Sequence, residues 1–152
     1  MALILALGSN LGDSPLHLAK AIKEISVHFE LRACSRIYHS RAVDYENQPD
    51  FFNQVIECAL PNMSPDETMR ILLDIEKQLG RVRDVLRGPR TVDIDIIFWN
   101  LEVHNTQHVT IPHPRWAERS FVVRPLQELP FFKTVEKCFT IPQSFEVEAF
   151  PV

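Results

Sequence analysis

The sequence predicts an α+β fold, two amphipathic helices packed on one antiparallel sheet. Three observations predict it: four short apolar runs of strand character, two stretches with apolar residues at helical spacing, and the order in which these alternate along 152 residues. A chain of that length buries its apolar surface around one core, so residues 1–152 are read as a single domain with one site.

The first strand is Leu3 to Leu7, closed by the turn Gly8-Ser9-Asn10. Helix one follows, with Ser14 as its expected N-cap, Pro15 in the first helical position, and Leu18, Ile22 and Ile25 along one face. Residues 31–39 and Phe52 to Leu60 read as the second and third strands, separated by the polar stretch Asp44 to Asp50 with Pro49 in it. Helix two opens on the capping box Ser64-Pro65-Asp66-Glu67, carries Met69, Leu72, Ile75 and Leu79 as its apolar stripe, and stops at Gly80. Thr91 to Trp99 is the fourth strand. Strand, helix, strand, strand, helix, strand is the ferredoxin-like βαββαβ order. Beyond Pro112 the chain is rich in proline and aromatic residues, and reads as short helices and loops completing the same domain.

Composition narrows the function classes. Hydrophobic residues make up 45% and charged residues 24%, and no apolar run is long enough to span a bilayer. The N-terminus lacks the basic flank of a signal peptide, which points to the cytoplasm. Cys34, Cys58 and Cys138 are odd in number and widely spaced, so buried free thiols are expected rather than a disulfide framework or a zinc site. A net charge of -4 argues against a nucleic-acid binder, and the positive charge is local instead. Arg81, Arg83, Arg87 and Arg90 stand against one acid, Asp84, and Arg115, Arg119 and Arg124 follow; clusters of this kind suit a small anionic ligand.

The chemistry starts at Asp93 and Asp95. Residues two apart on a strand share a face and lie about 6.6 Å apart, so both carboxylates can reach one metal-bearing ligand while Val92, Ile94 and Ile96 point into the core. Two acids on a strand are by themselves often only a solvated sheet face; the arginine-rich stretch just before them suits a magnesium-bound polyphosphate. The turn Gly8-Ser9-Asn10-Leu11-Gly12-Asp13 is neither a P-loop, lacking the Gly-Lys-Ser/Thr ending, nor a dinucleotide fingerprint. His104 and His108, four apart in a poorly helical segment, read as surface residues.

Five ordered motifs then resemble one family: Gly8-Ser9-Asn10-Leu11-Gly12; Asn47-Gln48-Pro49-Asp50-Phe51-Phe52-Asn53; Ile75-Glu76 with Gly80-Arg81-Val82-Arg83; Gly88-Pro89-Arg90-Thr91-Val92-Asp93-Ile94-Asp95; and Pro112-His113-Pro114-Arg115 with Glu118-Arg119-Ser120-Phe121-Val122. The chain resembles the 6-hydroxymethyl-7,8-dihydropterin pyrophosphokinases of folate biosynthesis from residue 4 to about 130. The resemblance implies that the pterin hydroxymethyl oxygen attacks the β-phosphorus of ATP with two Mg2+ ions, releasing AMP. It implies metal ligands at Asp93 and Asp95, with Asp95 also orienting or helping to deprotonate the attacking hydroxyl. Arg81, Arg83 and Arg90 are implied on the ATP phosphates and Glu76, Ile96, His113 and Arg119 on the nucleotide, while Arg87, a departure from the family pattern, either adds a phosphate contact or loses a packing closure over the ATP. For the pterin it implies Asn53 at the donor and acceptor edge, Phe51 and Phe121 as stacking faces, and Ser40 and Val43 in the bordering loop.

Taken singly, several of these have plainer readings: Phe51 and Phe121 as core, Asn53 as a turn residue, Glu76 as a solvated helix position. The chain also departs from the family pattern, with Arg41, Ala42 and Asp44 where a proline and a glycine are common in the pterin loop, and Arg87 where an aromatic residue often precedes Gly-Pro-Arg. Two rival readings follow, a same-fold paralogue that binds nucleotide with altered or lost pterin activity, and an RNA-binding module, whose Arg/Lys-Gly-aromatic-x-aromatic strand motif is missing. The small molecules ATP and pterin, and neither nucleic acid nor membrane, are the expected partners.

Overall fold

The N-terminal apolar run forms the middle of the sheet. In the computed structural model, which describes residues 1–41, 49–80 and 91–152, β1 (Ala2–Ser9) lies between β4 (Phe51–Ala59) and β5 (Asp93–Trp99), antiparallel to both. On the far side of β4 run two short pieces, β2 (Leu31–Cys34) and β3 (Tyr38–Ser40), with α1 (Ser14–His28) before them and α2 (Pro65–Gln78) between β4 and β5. The order β5-β1-β4-β3 places the first two βαβ units in the ferredoxin-like arrangement that the sequence predicts. A final strand, β8 (Phe150–Pro151), is added outside β3.

The C-terminal third holds the hairpin β6 (His104–Asn105) and β7 (Thr110–Ile111), a 3-10 turn at Trp116–Glu118, and two short helices, α3 (Ser120–Leu126) and α4 (Phe132–Cys138). No helix among the described residues is long and apolar enough to cross a membrane.

Side-chain chemistry explains where elements depart from expectation. α1 is capped by Asp13 and not Ser14: Asp13 Oδ1 accepts the Leu16 N–H at 3.2 Å, while the Ser14 hydroxyl turns back to accept from Ser9 Oγ at 3.1 Å. α2 follows the sequence pattern, Ser64 Oγ accepting the Glu67 N–H at 3.1 Å and Gly80 taking φ +87° just past the last turn. The strand expected over 31–39 is broken in two, because Ser35 turns its side chain to the sheet: its N–H donates to the Val55 carbonyl and its Oγ accepts the Val55 N–H. The third and fourth strands agree with the structure to within two residues, and β1 runs on through Gly8 and Ser9 where a turn is expected.

Alternation in the strands divides the core between two faces. Leu3, Leu5, Leu7, Ile56, Ile94 and Ile96 meet Leu18, Ile25, Leu72 and Ile75 of the long helices. On the opposite face Ile4, Val55, Ile97 and Phe98 meet Trp116, Val123, Leu126 and Phe131. A β-bulge makes this division possible: Ile4 pairs with Phe98 but Leu5 pairs with Ile96, so Ile97 is the extra residue and both Ile97 and Phe98 face the C-terminal cluster. The thiols also divide. Cys58 is buried, its pKa pushed by burial to about 12, whereas Cys34 and Cys138 are exposed, contrary to the expectation that all three are buried.

Candidate functional site

The C-terminal cluster covers only one end of the second sheet face, and the other end carries the predicted site residues. Gly8 lies opposite Asn53 on one side and Asp93 on the other, and Ala6 lies opposite Asp95, so Asn53, Gly8 and Asp93 form a row across three strands with Asp95 in the next row. Ser40 lies opposite Phe51 on β4, which adds both to the same face.

On β5 the predicted alternation is present: Val92, Ile94 and Ile96 are at most 4% exposed, while Asp93 and Asp95 are half-buried. Glu76, far from being a solvated helix residue, is buried and reaches from α2 to accept the Ile94 N–H on Oε2 at 2.8 Å. The helix thereby holds the peptide between the two acids. Ile96 buries its side chain in the helix-side core, which leaves its backbone as what it can offer a ligand.

Asn53 and Ser40 are the least expected features. Both are under 10% exposed, yet Asn53 Oδ1 and Ser40 Oγ have no hydrogen-bond partner among the described residues. An unpaired buried polar atom costs about 1–3 kcal/mol, and these two lie on one face, where a ligand's donors could meet them. Gly8 makes the placement of Asn53 possible: a Cβ there would sit 2.9 Å from Asn53 Nδ2. The sequence reading treats Gly8 as part of a strand-to-helix turn; the available signal is a glycine inside a strand pattern, which marks close approach of another group. Asn10, also missed, donates from Nδ2 to the Pro49 carbonyl at 3.1 Å and so ties the loop after β1 to the segment entering β4.

Phe51 touches the space above Gly8, lies on the same face as Asn53, and is half-buried. Phe121 is the second residue of α3, on that face, with the Arg119 guanidinium 5.6 Å from its ring centre. His113 is fixed through its backbone N–H to the Ile97 carbonyl and through Nδ1, which accepts the Arg115 N–H at 3.2 Å. Burial, then the charges of Arg119 and Arg115, push its pKa down to about 4, against the pull of Asp93. Near neutral pH it is therefore an uncharged imidazole with its proton on Nε2. Arg124 is drawn away from the basic cluster, since Glu148 and the Gln143 carbonyl hold its guanidinium. His108 is exposed as expected, and His104 is a strand residue bonded to Glu102.

Val43, Arg81, Arg83, Arg87 and Arg90 lie outside the described residues, as do Ala42 and Asp44. Among the described residues no group of three His, Cys, Asp or Glu could enclose a metal. A pair of half-buried carboxylates still fits Mg2+, which commonly takes one or two protein carboxylates and completes its shell with phosphate oxygens and water.

Comparison with known proteins gives a consistent set of similarities. A family profile described as 7,8-dihydro-6-hydroxymethylpterin-pyrophosphokinase (HPPK) matches residues 4–130. A 2-amino-4-hydroxy-6-hydroxymethyldihydropteridine pyrophosphokinase of Bacillus subtilis (strain 168) is 39% identical over 127 residues, 82% of this chain and 75% of that one. The protein of the same name from Aquifex aeolicus (strain VF5) is 38% identical over 125 residues, covering 82% of this chain and 78% of its own. Folic acid synthesis protein fol1 of Pneumocystis carinii is 36% identical over 129 residues, 84% of this chain but only 17% of that longer protein. Among solved structures, one titled "Crystal Structure Analysis of the HPPK-DHPS in complex with substrates" superposes with a TM-score of 0.62 at 13% identity, over 84% of this chain and 40% of that one, a likeness of fold.

Proposed function

This chain belongs to the 7,8-dihydro-6-hydroxymethylpterin-pyrophosphokinase family, and from that premise we propose how its residues carry out the reaction. The protein is a pyrophosphokinase that moves pyrophosphate from ATP to the hydroxymethyl group of 6-hydroxymethyl-7,8-dihydropterin. A bond forms between the pterin oxygen and the β-phosphorus, the bond from that phosphorus to the α-phosphate bridging oxygen breaks, and AMP leaves.

The observation that carries the assignment of roles is the row Asn53, Gly8, Asp93, with Asp95 beside it: an amide whose oxygen has no partner among the described residues stands next to an acid pair on one face. Asn53 Oδ1 and Ser40 Oγ take hydrogen bonds from the pterin edge, while Phe51 and Phe121 stack on its faces and Val43 borders it. Asp93 and Asp95 hold Mg2+, which when bound neutralises charge on the attacking and leaving oxygens. Asp95 also orients the attacking hydroxyl and receives its proton. Arg81, Arg83, Arg87 and Arg90 bind the phosphates, and Arg119 adds a cation on the nucleotide side. His113, neutral, donates from Nε2 to a nucleotide oxygen without adding charge. Glu76 acts on the nucleotide through β5, whose backbone it holds, and Ile96 through its main chain.

Residues 1–152 constitute one pyrophosphokinase domain on this reading, supported by the return of the last strand to the same sheet. A cytoplasmic location fits two exposed free thiols.

The test is to incubate the protein with ATP, Mg2+ and the hydroxymethyl pterin and identify the nucleotide product. AMP is expected; ADP, or nucleotide binding without pterin turnover, would sink the reading. Asp95→Asn, nearly isosteric, should lower kcat by about 10²-fold or more with the melting temperature unchanged.

A further inference from the structure

The family match ends at residue 130, yet the chain beyond it is packed against the two elements that carry the outer pterin groups. β8 pairs with β3, Phe150 opposite His39 and Pro151 opposite Tyr38, and the Val152 N–H donates to the Ile37 carbonyl at 2.9 Å. Two and three residues before Phe150 the same segment grips α3. The Val147 carbonyl accepts from Ser120 Oγ at 2.5 Å, and Glu148 takes Arg124 in a fork, Nε to Oε1 at 2.8 Å and Nη2 to Oε2 at 3.3 Å. Arg124 also donates to the Gln143 carbonyl at 2.8 Å and lies 5.0 Å from the Phe145 ring centre, and Ala149 is 4% exposed.

Ser40 ends β3 and Phe121 is the second residue of α3. The tail therefore spans from the strand with the orphaned hydroxyl to the helix with the stacking ring. Between tail and strand lies a cavity of about 290 Å³, lined by Ser40, Arg41 and Asp50 on one side and Glu146, Val147 and Phe150 on the other, so the tail walls one side of the space beside Ser40.

We infer that residues 143–152 form a brace for the pterin half of the site, with Arg124 and Glu148 as positioning residues that hold Ser40 and Phe121 at the separation the pterin needs. This rests on the pterin assignment made above. The bonds of the brace go to β3 and α3, the elements that carry Ser40 and Phe121, so its loss is expected to fall chiefly on the pterin. A bidentate, half-buried Arg–carboxylate pair supplies the geometry that a single exposed contact does not.

The experiment uses the full chain with Arg124→Met, Glu148→Gln, and the charge-exchanged pair Arg124→Glu with Glu148→Arg. KM for the pterin, KM for ATP and kcat are measured for each, with melting temperature alongside. Expected is a rise of about tenfold in pterin KM for each single variant, with ATP KM and kcat within about twofold of wild type and partial rescue in the exchanged pair. Parallel rises in both KM values with a lower melting temperature would reduce the pair to a purely structural role and overturn the proposal. So would an unmoved pterin KM in active variants. A wild-type protein that makes no AMP from pterin and ATP would overturn the pterin assignment itself, a result separate from either of these.

Discussion

Gly8 is the smallest residue at the site, and its missing side chain decides where Asn53 sits. A methyl group there would lie 2.9 Å from Asn53 Nδ2, so Gly8→Ala must turn the amide or part β1 from β4. The pterin is expected to bind about tenfold more weakly, some 1.4 kcal/mol, with ATP affinity kept; calorimetric titration of both ligands checks it. His113 offers a pH signature. Its pKa near 4 in the folded protein lies below the ordinary 6.5, so between these values the unfolded chain binds a proton that the folded chain refuses. Stability should therefore fall as pH drops from about 6.5 towards 4, and His113→Gln should flatten that part of a denaturation-against-pH curve. The placement of Asp93 and Asp95 on one face and Ile94 on the other was legible because strand alternation assigns it. The unpaired state of Asn53 Oδ1 was not, since it depends on neighbours from β1 and β3, which periodicity does not report.

At the scale of elements, α2 shows how local signals and tertiary role coincide. Its cap, stripe and stop are all in the sequence, but Glu76, a polar position beside the stripe, is the group that joins the helix to β5. Glu76→Ala strands the Ile94 N–H and opens space beneath it, for an expected loss of about 1–3 kcal/mol by urea denaturation, with turnover falling as Asp93 and Asp95 lose their support. The broken second strand and the bulge at Ile97 were illegible for a common reason. Each comes from one residue choosing a cross-strand partner, Ser35 on Val55 and Leu5 on Ile96, and the apolar pattern of the strand itself is unchanged by that choice. The tail is a stronger case: Phe150 and Pro151 have no strand pattern of their own and become a strand only because β3 has a free edge to receive them.

The whole molecule is a sheet with two coats, and the aromatic coat is the more concentrated. Phe98, fully buried, contacts Trp116, Phe131 and Phe139 with ring centres 5.1 to 6.0 Å apart. Phe98→Ala should cost about 3–5 kcal/mol, read as a lower denaturation midpoint, because the rings from three separate segments cannot all collapse into the space. Glu57 adds a polar tie across the same layer, its Oε1 accepting the Phe131 N–H at 2.9 Å where the tail begins. The βαββαβ frame was legible from element order and the short C-terminal helices from composition, whereas the bounds of those helices and the sheet face they cover were not, since seven residues carry too few turns for a helical period to show.

The central position of β1 bears on how the chain acquires this structure. β1 precedes its partners β4 and β5 by roughly fifty and ninety residues, so its apolar edges must wait for neighbours whose capture closes long loops. At about 5–20 residues per second, β1 spends seconds on the ribosome without either hydrogen-bonding partner. Such non-local pairing delays closure of the sheet, and until it closes the apolar stretch Ala2 to Leu7 is a segment that a nascent-chain chaperone would shield.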